Sequence, residues 1–346
     1  RVKNFNNYHR LIFIFWILYI IRMFYDLHII DLNIAFQYDN KLLYWLYAIG
    51  VGFVPMISVL MMQDVNYKKL YKWYYLLLFL GLFLSLFSSQ VLTDGGDIEG
   101  RSGANSSVQV LLYGNFGAYL IILAVSGFKL GINKIINFLA ISIGAYVMAT
   151  SGSRGSLFSL ILVLFIYSFL RKKLFKFFFL KIALFSSVFI FLIYNFWSYI
   201  YAFLYSISPI LATRINITFS GGENAFNSRD ILIGQAFKDF INHPFFGNHF
   251  VLVEGLGEGY YPHNSIAESF MALGLIGGVL FLYLVLKASL KALKIISLNS
   301  ETIWIALLFV QNLMYSMSST ALYKHQAMWI FMVMLFSISF NKKRIC

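Results

Sequence analysis

Ten apolar runs follow one another along this chain, at about residues 11–30, 42–62, 73–92, 108–126, 135–150, 155–170, 182–204, 265–286, 302–320 and 326–340. A helix needs roughly 20 apolar residues to cross the hydrocarbon layer of a bilayer, because each residue advances it by only about 1.5 Å. Composition agrees with the pattern. Of 346 residues, 60% are apolar and 12% charged, where a soluble domain carries about 25% charged residues. The single cysteine, Cys346, excludes a disulfide framework. The expectation is an all-α polytopic integral membrane protein of about ten transmembrane helices.

A formal net charge of +13 raises nucleic-acid binding, and the distribution of charge argues against it. With both ends placed in the cytoplasm, the inner segments 1–10, 63–72, 127–134, 171–181, 287–301 and 341–346 hold 19 of the 27 Lys and Arg. The outer segments hold seven, namely Lys41, Arg101, Arg154, Arg214, Arg229, Lys238 and Lys324, and Arg22 lies within the first run. Only Asp64 and Glu301 among the 14 acids fall inside. This sorting follows the positive-inside rule and orients the chain with N and C termini in the cytoplasm. The basic start leads into the first run without a small-residue cleavage site, so no cleaved signal peptide is expected.

One outer segment stands apart. Residues 205–264 form a loop of 60 residues that holds Pro209, Pro244 and Pro262, three of the four prolines, and loops of that length in a compact fold are usually functional. The chain thus divides into residues 1–204 with about seven spans, the outer loop 205–264, and residues 265–346 with three spans. Within the loop the pattern predicts a helix near 229–242, with Asn227 or Ser228 as N-cap and Pro244 as terminator. Ile233, Ala236, Phe237, Phe240 and Ile241 share its apolar face, which would lie on membrane lipid or cap a cavity below. No internal repeat is visible, which weighs against a transporter built from paired halves.

Arginines on the outer side are the first candidates for chemistry, since a cation near the bilayer is expensive to place. Arg154 stands in the tight turn Ser151-Gly-Ser-Arg-Gly-Ser156, Arg101 in a Gly/Ser/Asn loop, and Arg214 and Arg229 in the long loop. The planar guanidinium suits bidentate contact with phosphate oxygens; the bland alternative is pairing with a nearby acid or a lipid headgroup. His243, His249, His263 and His325 also fall outside. His263 opens His263-Asn264-Ser-Ile-Ala-Glu268, where Asn264 and Glu268 share a helical face. A histidine there, beside a carboxylate, is placed to take a proton from a hydroxyl at neutral pH; a helix-capping polar cluster is the competing reading. His243, His249 and Glu254 match no standard metal-ligand spacing. Arg22 and Asp26, four apart on the first span, read as a structural ion pair.

Taken in order, Arg214, Ser228-Arg229-Asp230, a helix, His243-Pro-Phe-Phe-Gly247, His263-Asn264, Glu268 and Gly274-Leu-Ile-Gly277 resemble the signature region of the O-antigen polymerase and ligase superfamily. Ser153-Arg154-Gly155 and the Arg101 loop followed by Asn105 are similar to that family's upstream motifs, and Asn248-His249 departs from it, since a second glycine is common after Gly247. The resemblance covers about residues 95–290. It implies a GT-C-like, metal-independent, cofactor-free, inverting glycosyltransferase. Such an enzyme polymerises undecaprenyl-pyrophosphate-linked oligosaccharide repeat units into O-antigen or a related surface polysaccharide at the outer face of the bacterial inner membrane. Donor and acceptor would both be lipid-linked glycans, with a chain-length regulator protein as a further partner. Arg101, Arg154, Arg214 and Arg229 would hold the pyrophosphate, and His263 with Glu268 would serve the acceptor hydroxyl, with Asn264, His243 and His249 lining the site. Three alternatives stay open. One is an O-antigen ligase moving the polymer to lipid A core, and another is a flippase for the lipid-linked oligosaccharide. The third is a transferase using a polyprenyl-phosphate sugar, with Asp31 or Asp39 as its key acid.

Overall fold

The computed structural model describes residues 6–30, 41–62, 65–88, 90–92, 101–103, 110–171, 198–206, 209, 212–213, 216, 224–255, 258–298 and 300–339. Ten helices can be delimited among these residues: α1 (Asn7–Ile29), α2 (Lys41–Met61), α3 (Tyr67–Ser88), α4 (Val110–Leu130), α5 (Lys134–Ser151), α6 (Arg154–Arg171), α7 (Asn224–Asn242), α8 (Ser265–Ser297), α9 (Ile303–Ser316) and α10 (Gln326–Ser337). A short antiparallel pairing of β1 (Gln90–Leu92) with β2 (Arg101–Gly103) lies between α3 and α4. Six helices are long and apolar enough to cross a membrane, those in α1, α2, α3, α4, α5 and α8. Helices α6, α9 and α10 are apolar but shorter. Nine of the ten expected spans thus fall on apolar helices; the tenth, 182–204, lies outside the described residues except for a helical stretch at 198–206.

Local chemistry sets the helix ends. Asn6 caps α1, its Oδ1 accepting from the Tyr8 and His9 amides at 3.0 and 3.2 Å, and the His9 ring returns a bond to the Asn6 amide. Asn133 caps α5 through the Ile135 amide at 2.8 Å. Gly152, with φ of 59°, ends α5 in the left-handed conformation that glycine adopts without strain.

By its internal contacts the chain forms two compact units. The first gathers Arg1–Asn66, Glu223–Ile295 and Ile305–Cys346. On α1, Ile12, Phe15, Trp16, Tyr19 and Met23 recur at helical spacing and are buried, while Ile14, Ile17, Ile21 and Phe24 are exposed, as lipid-facing residues would be. The buried stripe meets Trp329 of α10, whose ring lies 5.4 Å from Phe15, 5.3 Å from Trp16 and 5.7 Å from Phe281 of α8. Such aromatic clusters combine large apolar area with favourable ring geometry.

The second unit gathers Tyr67–Gly222 and Ile296–Trp304. Here α4 and α5 pack backbone to backbone. A Cβ on Gly117 would stand 2.7 Å from the Gly144 carbonyl oxygen, and a Cβ on Gly144 the same distance from that of Gly117. Small residues permit this approach, the usual way helices associate where lipid removes the hydrophobic incentive. Tyr71 donates to the Leu123 carbonyl at 2.7 Å, and Tyr75 to the buried Asn137 side chain at 3.0 Å.

Candidate functional site

Pro244 stands two residues after the end of α7, and residues 244–250 turn back onto α8 and α1. Helix α8 is interrupted at Gly274, whose φ of 63° and ψ of −155° are not helical. In an unbroken helix the Leu275 amide would donate to the Met271 carbonyl. Here Leu275 N donates to Pro244 O at 2.7 Å, and Met271 O accepts from Asn248 N at 2.8 Å. The loop backbone is therefore inserted where the helix is broken and supplies both missing partners. Gly247 and Gly274 make the approach possible. A Cβ on Gly247 would meet Ala272 backbone at 2.4 Å, and one on Gly274 would meet the Phe245 oxygen at 2.4 Å. The glycines of two motifs separated in sequence are thus one contact.

The same loop is clamped to α1. Arg22 and Asp26 do form the expected ion pair at 3.7 Å, but each also reaches further. Arg22 donates to the carbonyls of Asn248 and Phe246, both at 2.8 Å. Asp26, fully buried, accepts from the Phe250 amide at 2.9 Å and lies 3.2 Å from His249 Nδ1. The pair is a tie between α1 and the loop, and His249 belongs to that tie.

Helix α7 begins at Asn224, earlier than the sequence reading, so Asn227 and Ser228 lie within it and do not cap it. Its apolar face behaves as expected at Ala236, which packs with Leu252 and Met271, whereas Phe237 and Ile241 are exposed. Between α7 and the start of α8 runs a groove of about 650 Å³, walled by Ile233, Phe237, Phe240 and Phe270, with Asp230 and Asn264 at its polar part.

Arg229 and His263 are chain neighbours of those two polar residues. Asn264 is the N-cap of α8, its Oδ1 accepting from the Ile266 and Ala267 amides at 3.0 Å each. His263 has a φ of 57° and is the one non-glycine with positive φ among the described residues. Its ring lies 4.3 Å from that of Tyr261, centroid to centroid, and its Nδ1 is buried without a hydrogen-bond partner. Burial, then the positive charges of Arg229 and Lys324, push its basicity down to a pKa of about 4. The imidazole is therefore neutral at pH 7 with one ring nitrogen unengaged. Arg229 is half-buried and forms no ion pair among the described residues.

Glu268 does not partner His263. Its carboxylate is fully buried and accepts from the Tyr19 hydroxyl at 2.5 Å and from the Leu322 amide at 3.1 and 3.0 Å through both oxygens. The α8 face shared by Asn264 and Glu268 is real, and Glu268 uses it to pin residues 317–325, which connect α9 to α10. Trp329 adds a bond from its indole N–H to the Leu322 carbonyl at 3.0 Å. That connection carries Lys324, whose Nζ lies 4.2 Å above the Tyr261 ring. Burial lowers its pKa to about 8, with Glu268 opposing the shift.

Arg229, His263 and Asn264 are thus gathered in the first unit. Exposed His243 is in the same unit, beside Asp239, whose carboxyl is pushed up by burial and by Glu254. Arg154 belongs to the second unit. It opens α6 in a half-buried position after the buried serines 151 and 153, the latter bonded to Ser156 Oγ at 2.9 Å. Of Arg101 only the backbone, paired in β2, is described; Arg214, Asp31 and Asp39 lie outside the described residues. Among the described residues no group of three His, Cys, Asp or Glu is placed to hold a metal ion. Sequence reasoning missed Tyr19, Tyr261 and Lys324. The available signal was a lysine in a short connection, Met317 to His325, that holds no other Lys, Arg, Asp or Glu. No protein-family model matches the chain, and no curated protein matches it.

Proposed function

We propose that this protein is a membrane glycosyltransferase that extends a polysaccharide from undecaprenyl-pyrophosphate-linked repeat units at the outer face of the bacterial inner membrane, with about ten spans in a GT-C-like arrangement and both termini cytoplasmic. The carrying observation is His263, held in left-handed backbone with an unengaged buried Nδ1, under the positive charge of Arg229. Backbone strain at a non-glycine residue costs free energy and motivates a functional reading. The groove beside it is walled mainly by apolar side chains, which suits a hydrocarbon tail, while Arg229, next in the chain to its Asp230, supplies positive charge for an anionic head.

In this reading the acceptor hydroxyl oxygen attacks the anomeric carbon as the bond from that carbon to the diphosphate oxygen breaks, which inverts the centre. The hydroxyl proton passes to His263, and the diphosphate leaves as an anion. Arg229 offsets the charge that develops on it. Burial is the larger cause of the low basicity of His263, and an arriving diphosphate offsets the part that comes from Arg229 and Lys324, so the base strengthens to that extent when substrate is present. Glu268 acts on structure, by fixing residues 317–325.

The test uses the purified full chain in nanodiscs with a lipid-linked repeat unit and no other protein. Longer glycans are expected from the wild type, with losses on the order of 100-fold or more for His263→Ala and Arg229→Ala. Absence of any longer glycan from the wild type, or normal extension by both variants, overturns the reading.

A further inference from the structure

We infer that Lys324 is a second direct ligand, with Arg229, for the diphosphate that this site receives. The inference rests on the proposed function for the identity of the anion, and on the geometry of the 317–325 connection for the residue.

That connection is held unusually firmly for a short link between two helices. Both oxygens of Glu268 bind one amide in it, Leu322 N, and the Leu322 carbonyl is bound by Trp329. At its start Ser265 donates to the Ser316 carbonyl at 3.2 Å. At its end His325 Nε2 meets Asn312 Oδ1 at 3.1 Å. Tyr323, buried, packs against Tyr44, Phe250 and Tyr261. The residue these contacts present is Lys324, whose Nζ lies 4.2 Å from the Tyr261 ring centroid, and the His263 ring lies 4.3 Å from the same ring, tilted by 46°. Lysine, aromatic ring and imidazole form one contiguous set. Arg229 also acts on that imidazole through its charge. Two cations around a neutral histidine whose Nδ1 has no partner make a receptor for an anion carrying several oxygens. An ammonium supplies a point charge and three donors, complementing the planar fork of Arg229. Among the described residues, the charged or titratable groups around Lys324 include Glu268 from α8, Tyr19 behind Glu268 on α1, Arg229 from α7, Tyr261 and His263 before α8, and Tyr323 and His325 beside it.

The experiment measures binding alone, so it needs no glycan. Full-length protein in nanodiscs is titrated with inorganic pyrophosphate and with farnesyl diphosphate at pH 7 and pH 9.5. Lys324→Met, which keeps the length of the side chain, is expected to weaken binding about tenfold or more at pH 7, about 1.4 kcal/mol. Lys324→Arg keeps its charge at both pH values. Since the lysine loses its proton near pH 8, wild-type affinity should fall relative to Lys324→Arg between the two conditions. Loss with both probes means that any diphosphate is accepted; loss with the prenylated probe alone means that the site reads a lipid-borne one. Either supports the inference. Unchanged affinity in Lys324→Met, or the same pH dependence in wild type and Lys324→Arg, overturns it; if Lys324→Met does not fold, the arginine comparison decides. Lys324-dependent binding in a protein that makes no longer glycan would sink the glycosyltransferase reading and leave this site standing. Normal extension with Lys324-independent binding would do the reverse.

Discussion

At the scale of single residues, the decisive feature is that chemistry-bearing side chains here do two different jobs. Glu268 is a buried carboxylate with every oxygen engaged by structure, whereas His263 has a buried nitrogen engaged by nothing. Spacing showed that Asn264 and Glu268 share a helical face, and that holds. Which partner a side chain takes across space is decided by α1 and by the α9–α10 connection, hundreds of residues distant or far downstream, so periodicity could not reveal it. The left-handed backbone of His263 was equally hidden, because histidine, though enriched there among non-glycine residues, adopts it only in a small minority of cases. A side chain in that conformation costs about 1–2 kcal/mol. Replacing His263 by glycine should therefore give a protein about 1 kcal/mol more stable than replacing it by alanine, with both variants inactive in glycan extension. Thermal unfolding of the two variants in one detergent checks this. Equal midpoints would mean that the backbone at 263 carries no strain.

At the scale of elements, the junction of α8 with residues 244–248 explains two glycine motifs at once. The apolar run of α8 continues through residue 274 without a polar signal, so hydropathy reads one span where the backbone makes two pieces. The glycines themselves were visible, as Phe245-Phe-Gly247 and Gly274-Leu-Ile-Gly277, but their pairing depends on the chain folding back after Pro244. Gly274 has a conformation open essentially to glycine alone, and a Cβ there would strike the Phe245 carbonyl. Gly274→Ala should cost at least about 2 kcal/mol and loosen the loop that begins with Pro244. Gly234→Ala is the matched comparison. It lies within α7, nothing stands within 4 Å of its Cβ position, and alanine there should be neutral or stabilising by about 0.5–1 kcal/mol. Unfolding midpoints give the difference, and hydrogen exchange at the Leu275 and Asn248 amides locates it. Protection at those amides unchanged in Gly274→Ala would show that the loop does not depend on the break.

At the scale of the whole molecule, apolar run lengths located the helices well and their ends less well. Ile303–Ser316 is shorter than the run that contains it, because residues 317–325 leave helical geometry, with Leu322 N donating to Glu268 and His325 meeting Asn312. Charge sorting is a separate argument from run length. On the proposed orientation it would put the first turns of α3, with Lys68, Lys69 and Lys72, on the cytoplasmic side, and the segment before α8, with Glu254 and Glu258, outside. Function depends on that assignment, since Arg229, His263 and Lys324 share the face of Glu254 in the sorted topology. The single native cysteine makes the test clean. In a Cys346→Ser background, Glu254→Cys should react with a membrane-impermeant maleimide in intact spheroplasts, because Glu254 is exposed. Lys69→Cys, also exposed, should react only after the membrane is opened. The reverse pattern would place Arg229, His263 and Lys324, the residues proposed to bind the anion, on the cytoplasmic face. A substrate presented at the outer leaflet could not reach them there, and the proposed reaction would fall with the orientation even if every side-chain contact around His263 were as described.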